Sequence, residues 1–148
     1  MMKFGHKYGA KNVTIDNIKF NSILEGNCYE VIRDSGINFE MQTQFILQEK
    51  FKTKRGATIQ PIKYVCDFFV ELGQGKYVID SKGMLLPQFK IKAKMFLFRE
   101  GTPIICVGSK KKMGTVCDMI KLLAEPEDII EAIKPVKRKK KQPKLKQL

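Results

Sequence analysis

The sequence predicts one domain of the mixed α/β class, and three observations support this prediction. The chain has 148 residues, of which 43% are hydrophobic, and this is enough for one hydrophobic core. An early segment carries apolar residues at helical spacing. Three later segments show the alternation or the short apolar runs of strands. The chain therefore combines helices and strands within a single domain.

The first predicted element is a helix over residues 23–34. Ser22 and Glu25 have the S-x-x-E spacing of a capping box, in which the two side chains bind backbone N–H groups at the helix start. Apolar residues recur at helical spacing behind them, and Gly36 marks the end of the helix. The twelve residues at the N-terminus are instead expected to form an irregular basic arm.

Three strands are predicted after this helix. Residues 39–48 alternate apolar and polar side chains, which is typical of a strand with one polar face. A basic connection over 50–56 leads to a second strand at about 63–71. The turn at 73–75 then leads to a third strand at about 76–82, so that the second and third strands form an antiparallel hairpin.

The elements after the hairpin are less uniform. Residues 88–98 fit a strand by alternation and a helix by a shared apolar face, and the pattern leaves both open. A short strand is predicted over 103–107. Helices are predicted over 116–124 and 127–133, the latter with Pro126 in its first turn.

The charge of the chain indicates a polyanionic partner. It has 28 Lys and Arg residues against 15 Asp and Glu residues, a net charge of +13. We expect nucleic acid first and an anionic membrane surface second. Residues 134–148 carry eight basic residues and no acidic one, and we expect them to be a disordered basic tail. The tail has no apolar face for a membrane. Residues 1–133 would form the domain, with the arm at 1–12 and a helical extension at 113–133.

Composition excludes several other classes of protein. The four cysteines, at positions 28, 66, 106 and 117, show no C-x-x-C spacing, and His6 is the only histidine. A zinc site and catalysis by a Cys/His or Ser/His pair are therefore not expected. No apolar run approaches the roughly 18 residues of a membrane-spanning helix, and residues 1–10 lack the apolar centre of a secretory signal. The buried cysteines that we expect fit a reducing, cytoplasmic location.

The predicted hairpin holds the residues that indicate chemistry. Asp67 and Asp80 lie in or at the end of apolar strands, where an unpaired carboxylate is costly. If the turn is centred between Gly73 and Gln74, Asp67 faces Asp80 across the hairpin, and if it is centred at Gln74, the two residues are close diagonal neighbours. Lys82 lies on the same face as Asp80, because side chains alternate along a strand. Two carboxylates and a lysine thus converge on one patch.

This patch suits Mg²⁺-dependent chemistry on a phosphodiester. Mg²⁺ takes oxygen ligands and keeps several waters, and it can activate water and stabilise the charge that develops on phosphorus. A nearby lysine can position the water or stabilise the transition state. A structural interpretation stays open, in which Asp67 pairs with Lys82 and Asp80 ends its strand. Glu25 likewise has a structural role in the capping box.

The same residues resemble the PD-(D/E)xK nuclease superfamily: Asp67, then Asp80-Ser81-Lys82 on the next strand, and Glu25 on a preceding helix. The chain also resembles the phage endonuclease I family of Holliday-junction resolvases, and a family of small phage and prophage proteins of unknown function. The similarity covers about residues 7–108. The resembling segments are Tyr8-Gly9-Ala10-Lys11, Phe20-Asn21-Ser22-Ile23-Leu24-Glu25, Asp67-Phe68 and Val78-Ile79-Asp80-Ser81-Lys82-Gly83. Cys66 replaces the usual proline of the motif.

The resemblance implies a restriction-endonuclease-like core, a mixed central sheet flanked by helices, in which 88–98 is a helix. It implies that the catalytic residues are Glu25, Asp67, Asp80 and Lys82. Mg²⁺, or Mn²⁺ in its place, would be held by the three carboxylates and the Ser81 carbonyl. It further implies a homodimer whose two sites cut two strands of a junction. Gly26 is unfavourable within a helix by about 1 kcal/mol relative to alanine, and we expect it to mark a bend or a close approach to DNA.

The predicted function is therefore a Mg²⁺-dependent, structure-selective DNA endonuclease that resolves Holliday junctions in recombination, encoded by a phage and acting in the host cytoplasm. Two alternatives remain: a nuclease acting on flaps, ends or single strands, and a non-catalytic DNA-binding protein on the same fold. Phosphate contacts position a protein on DNA without reading its sequence. The predicted phosphate contacts are Lys7, Lys11, Lys52, Lys54, Arg55, Lys90, Lys110, Lys111, Lys112, Lys137, Arg138, Lys139, Lys140 and Lys141.

Overall fold

The computed structural model describes residues 11–108 and 118–134. In chain order its elements are β1 (Val13–Ile15), β2 (Ile18–Phe20), α1 (Ile23–Asp34), β3 (Phe39–Met41), β4 (Gln44–Gln48), β5 (Phe51–Lys52), β6 (Thr58–Ile59), β7 (Ile62–Val65), β8 (Phe68–Leu72), β9 (Gly75–Ser81), α2 (Pro87–Glu100), β10 (Ile104–Val107), β11 (Ile120–Leu123) and α3 (Asp128–Ile133). The predicted N-terminal arm up to residue 10 and the predicted tail from residue 135 lie outside the described residues.

A central sheet of five strands organises the fold. Its strand order is β11-β10-β9-β8-β3. The strand β10 runs parallel to both β9 and β11, whereas β8 runs antiparallel to both β9 and β3. Three further pairs, β1 with β2, β4 with β7 and β5 with β6, form two-stranded sheets. The mixed sheet and its helices confirm the predicted α/β class.

Each face of the central sheet carries one hydrophobic cluster. Along β10, Ile104 and Cys106 belong to the cluster that includes α2, and Ile105 and Val107 belong to the cluster that includes α1 and α3. This division follows from the alternation of side chains along a strand. Because both faces of β10 are covered, all four of its residues are buried, and the segment is apolar throughout, as buried parallel strands are.

The helix α1 has the predicted bounds and the predicted cap. The Ser22 hydroxyl oxygen accepts a hydrogen bond from the backbone N–H of Glu25, at 3.1 Å. The Glu25 carboxylate accepts one from the backbone N–H of Asn21, at 3.3 Å, which is one residue earlier than in a standard capping box. The cap therefore fixes the first turn of α1, and with it the position of Glu25.

Gly26 is explained by the hairpin of β1 and β2. A Cβ atom at Gly26 would lie 2.8 Å from Val13 Cγ1 and 3.0 Å from Ile15 Cδ1. The hairpin is also tied to α1 by an ion pair of 2.7 Å between Arg33 and Asp16. The close approach at Gly26 is thus to the protein itself, and the expectation of a bend or of a contact with DNA is corrected.

Two of the predicted strands are each divided between two sheets. The predicted strand at 39–48 breaks at Gln42, which has a positive φ of 56°; its first part, β3, joins the central sheet and its second part, β4, pairs with β7. The predicted strand at 63–71 breaks at Cys66 and Asp67 in the same way. The apolar alternation continues across both breaks, so the sequence pattern does not reveal them.

The C-terminal part contains two confirmed helices and one error. Residues 88–98 are helical, within α2, as the resemblance implied. The helix predicted at 116–124 is wrong in its described part, because β11 is a strand paired in parallel with β10. The helical extension predicted at 113–133 is corrected accordingly. A short apolar run cannot be assigned to helix or strand by periodicity alone. The predicted helix at 127–133 is confirmed as α3.

Three of the cysteines are buried free thiols, as the sequence predicts. They are Cys28, Cys66 and Cys106. Burial raises the pKa of Cys28 and of Cys66 to about 12, and it also raises the pKa of Cys106. A thiol with a raised pKa is a poor nucleophile at neutral pH. None of the helices in 11–108 and 118–134 is long and apolar enough to cross a membrane.

Candidate active site

The two aspartates of the hairpin face each other as the sequence predicts. The register of β8 and β9 pairs Phe68 with Ile79, so Asp67 and Asp80 occupy the next opposed positions. The backbone N–H of Asp67 donates to Asp80 Oδ1 at 2.8 Å. The contact lies directly before the first residue of β8, where the chain enters the central sheet from β7.

A second set of hydrogen bonds runs in the opposite direction across the same pair. The backbone N–H of Ser81 donates to Asp67 Oδ2 at 2.9 Å, and the Ser81 hydroxyl donates to the same oxygen at 3.1 Å. Each aspartate side chain is therefore held by the backbone of the opposite strand. This reciprocal bonding holds both carboxylates at one end of the paired strands β8 and β9, in the interior of the sheet.

Tyr64 is a site residue that sequence reasoning missed. Its hydroxyl donates to Asp80 Oδ2, and both side chains are buried, with Asp80 only 1% exposed. A buried carboxylate requires donors, and a tyrosine in the apolar segment just before Asp67 was the available signal. Tyr64 therefore completes the hydrogen bonding of Asp80 from β7.

Lys82 is the cation of the site. Its Nζ atom lies 3.7 Å from Asp80 Oδ2 and 4.6 Å from the centre of the Phe89 ring. The side chain is 31% exposed, so the ammonium group is open to solvent on one side. The structural interpretation in which Lys82 pairs with Asp67 is not what the structure shows, since the partner is Asp80.

Glu25 contributes a third carboxylate from α1. Burial, and next the negative charge of Asp67, raises the pKa of Glu25, and Asp80 adds to this effect. Glu25 is therefore electrostatically coupled to the pair. Within 11–108 and 118–134, however, no group of three or more His, Cys, Asp or Glu residues is arranged to hold a metal ion. The three carboxylates are neighbours without forming a preassembled ligand cage.

Negative charge is crowded at this site. Burial, and next the charge of Asp67, raises the pKa of Asp80, whereas Lys82 and the Tyr64 hydroxyl lower it. The net effect is a raised pKa of Asp80, so the single lysine does not offset the combined effect of burial and of the Asp67 carboxylate. Ionised, the three carboxylates and Lys82 carry a net negative charge.

The donor set is that of a hard cation. Among the described residues, Asp67 Oδ1 and Glu25 Oε1 receive no hydrogen bond, and no buried side-chain polar atom is left without a partner. These two oxygens therefore have lone pairs free to accept a ligand. Carboxylate oxygens near a crowded negative charge fit Mg²⁺, which prefers oxygen ligands. For Ser81 the structure shows two donor groups turned to Asp67, and its carbonyl as a ligand stays a prediction.

The predicted phosphate contacts that the structure describes are all exposed. Lys52 lies in β5, and Lys54 and Arg55 lie in the turn between β5 and β6; Lys11 precedes β1, and Lys90 lies on α2. The remaining predicted contacts fall outside the described residues. They are Lys7, Lys110, Lys111, Lys112, Lys137, Arg138, Lys139, Lys140 and Lys141.

A comparison with protein families identifies the chain. The model of DUF1064, described as a protein of unknown function, matches residues 5–115. The chain belongs to the DUF1064 family. The match includes Glu25, Asp67, Asp80 and Lys82, so the whole candidate site of this DUF1064 protein lies in the family region. A search of curated proteins finds no significant match.

Tyr64→Phe tests the support of Asp80 in this DUF1064 protein. We expect the substitution to lower the free energy of unfolding by about 1–3 kcal/mol, because a buried carboxylate oxygen loses its donor. Denaturant unfolding monitored by circular dichroism measures this change. Tyr77→Phe, at a half-buried tyrosine of β9, is the control. Equal losses in the two variants would contradict a specific role for the Tyr64 hydroxyl.

Proposed function

We propose that this DUF1064 protein is a Mg²⁺-dependent endonuclease that cleaves branched DNA. The observation that carries the proposal is the arrangement of Asp67, Asp80 and Lys82 at one end of the paired strands β8 and β9. Two carboxylates are locked by the opposite strand, and a partly exposed lysine lies 3.7 Å from one of them. These are the group types that phosphodiester hydrolysis with a metal requires.

The charge balance favours a site over a structural ion pair. A structural pair would need only Asp80 and Lys82. Burial, and next the charge of Asp67, raises the pKa of Asp80, and the same two causes raise the pKa of the buried Glu25. Since such an arrangement destabilises the folded protein without a counterion, a divalent cation is the simplest compensating group.

The residues that would hold Mg²⁺ are Asp67, Asp80 and Glu25, with the Ser81 carbonyl as a further ligand. When bound, Mg²⁺ would supply a Lewis acid for the phosphodiester and lower the pKa of a bound water. Lys82 would stabilise the negative charge that develops on the phosphate, because its ammonium group is fixed by Asp80 and by the Phe89 ring. Ser81 and Tyr64 would keep the two aspartates in place.

DNA is the substrate class that the charge supports. The chain carries a net charge of +13, and Lys54 and Arg55 of the β5–β6 turn and Lys90 of α2 are exposed. Phosphate contacts of this kind give affinity without sequence preference. The choice of a four-way junction, the homodimer with two sites and the phage origin rest on the resemblance stated above.

The test is cleavage of a labelled four-way junction with linear duplex and flap substrates as references. We expect paired cuts near the crossover in Mg²⁺, no cuts in EDTA, and retained binding in EDTA by gel shift. Asp67→Asn should bind and not cut. Its matched control is Glu71→Gln, which removes an exposed carboxylate from the strand that follows Asp67.

The outcomes separate the alternatives. Binding without cleavage of any substrate would overturn the enzymatic proposal and support a DNA-binding protein on the same fold. Cleavage of flaps or duplex without cleavage of junctions would keep the nuclease and overturn the junction as its substrate. Equal activity of Asp67→Asn and Glu71→Gln would place the reaction elsewhere in the molecule.

A further inference from the structure

A cleft of about 340 Å³ lies beside Lys82, between β7 and the first turns of α2. Its size is at the small end of the range of ligand-binding clefts. One of its walls is the same lysine that contacts Asp80, so the cleft opens next to the candidate active site. It is lined by Lys63, Tyr64, Val65, Lys82, Leu86, Gln88, Phe89 and Lys92.

The charged groups of the cleft have one sign. Lys63 comes from β7, Lys82 follows β9, and Lys92 lies on α2, so three separate elements bring their lysines to one cavity. No acidic residue lines the cleft in the part of the chain that the structure describes. The first turn of α2, whose N-cap residue Leu86 offers no side-chain acceptor, adds a weaker positive potential to that of the lysines. The cleft is therefore complementary to an anion.

The rest of the lining is apolar and partly exposed. Val65 is 45% exposed and Leu86 is 56% exposed, whereas Tyr64 and Phe89 are buried and form the inner wall. Gln88 supplies an amide that can both donate and accept. Lysines together with exposed apolar side chains match a nucleotide, which has a charged phosphate and a sugar and base with apolar faces.

We propose that this cleft binds the nucleotide that neighbours the scissile phosphate on the same DNA strand. Lys63 and Lys92 contact its phosphates, and Val65 and Leu86 contact its sugar or base. Because Lys82 belongs to both the cleft and the site, a strand lying in the cleft passes directly by Asp67 and Asp80. The inference rests on the proposed function, and it adds Lys63 and Lys92 to the predicted phosphate contacts given above.

The test compares two double variants that remove the same charge. Lys63→Gln/Lys92→Gln changes the cleft, and Lys76→Gln/Lys94→Gln changes one strand lysine and one α2 lysine that are exposed outside it. Binding of a labelled junction is measured by anisotropy in EDTA over a range of salt concentrations. We expect the cleft variant to lower the slope of log K against log salt by about 2, since each phosphate contact contributes about 0.9. The control should change the slope by less than half of that.

Cleavage by the same variants gives a second readout. The cleft variant should raise KM about tenfold or more with kcat close to that of the wild type, because the lost contacts bind the substrate and do not act on the reacting atoms. Equal losses of binding in both variants would contradict the proposed nucleotide-binding role of the cleft, and so would a lower kcat with unchanged binding. Neither result would contradict the proposed nuclease activity. A wild-type protein that neither binds nor cuts DNA would overturn the proposed function itself.

Discussion

Replacing Asp80 by asparagine is expected to reduce Mg²⁺-dependent cleavage about 1,000-fold or more. The carboxylate lies at the centre of the site, bonded to the Asp67 backbone, to Tyr64 and to Lys82. A catalytic metal stabilises the transition state by several kcal/mol, and each 1.4 kcal/mol or so corresponds to a factor of ten in rate. Single-turnover cleavage of a junction at saturating protein measures the loss, with Glu71→Gln as the control.

The same substitution should make the unfolding temperature of the metal-free protein less dependent on pH. The pKa of Asp80 is higher in the folded state than in the unfolded state, because of burial and the charge of Asp67. Between these two pKa values the folded protein binds more protons, so the stability of the wild type falls as the pH rises through this window. Asp80→Asn should lose this contribution. Thermal unfolding in EDTA from acid to neutral pH measures the difference.

Mg²⁺ provides the complementary measurement. It should raise the unfolding temperature of the wild type, because a ligand that binds only the folded state stabilises it, and it should have little effect on Asp80→Asn. Unchanged cleavage by Asp80→Asn, or an equal Mg²⁺ shift in both proteins, would contradict a metal site at Asp80.

Lys82→Met is expected to reduce the rate of cleavage about 100- to 1,000-fold, the usual cost of losing one group that stabilises transition-state charge. Methionine keeps much of the length of the side chain and can still contact the Phe89 ring through its sulfur, so the change removes mainly the charge. Single-turnover rates at saturating DNA and Mg²⁺ measure the effect, because saturation separates it from weaker binding in the cleft.

The control for Lys82→Met is Lys94→Met, which removes an exposed lysine of α2. Circular dichroism and thermal unfolding establish that both variants are folded. A wild-type rate for Lys82→Met would assign the lysine to charge compensation of Asp80 and remove it from the proposed catalytic residues.

Local signals in the sequence were sufficient for α1 and for the central hairpin. The S-x-x-E spacing fixed the start of α1, because the cap is formed by residues three positions apart. The turn at 73–75 limited the register of β8 and β9 to two choices, and the structure has the one in which Asp67 opposes Asp80. These features depend only on neighbouring residues, so a single sequence contains them.

Features that depend on tertiary contacts could not be predicted in the same way. β11 is a strand because it pairs with β10, and nothing in its four residues distinguishes a strand from a buried helix turn. The bond from Tyr64 to Asp80 joins residues of two different sheets. Gly26 is needed because Val13 and Ile15 approach it from another element. In each case the cause is a partner that is distant in sequence.

The passage of the chain from β7 to β8 has a mechanical consequence. Within five residues it carries Lys63 and Tyr64 in the β4–β7 pair and Asp67 at the entry to the central sheet. A load placed on the β4–β7 pair is therefore transmitted to both aspartates, to one through the backbone and to the other through the tyrosine hydroxyl. Any movement of the β4–β7 pair would therefore displace the carboxylates of Asp67 and Asp80 as well.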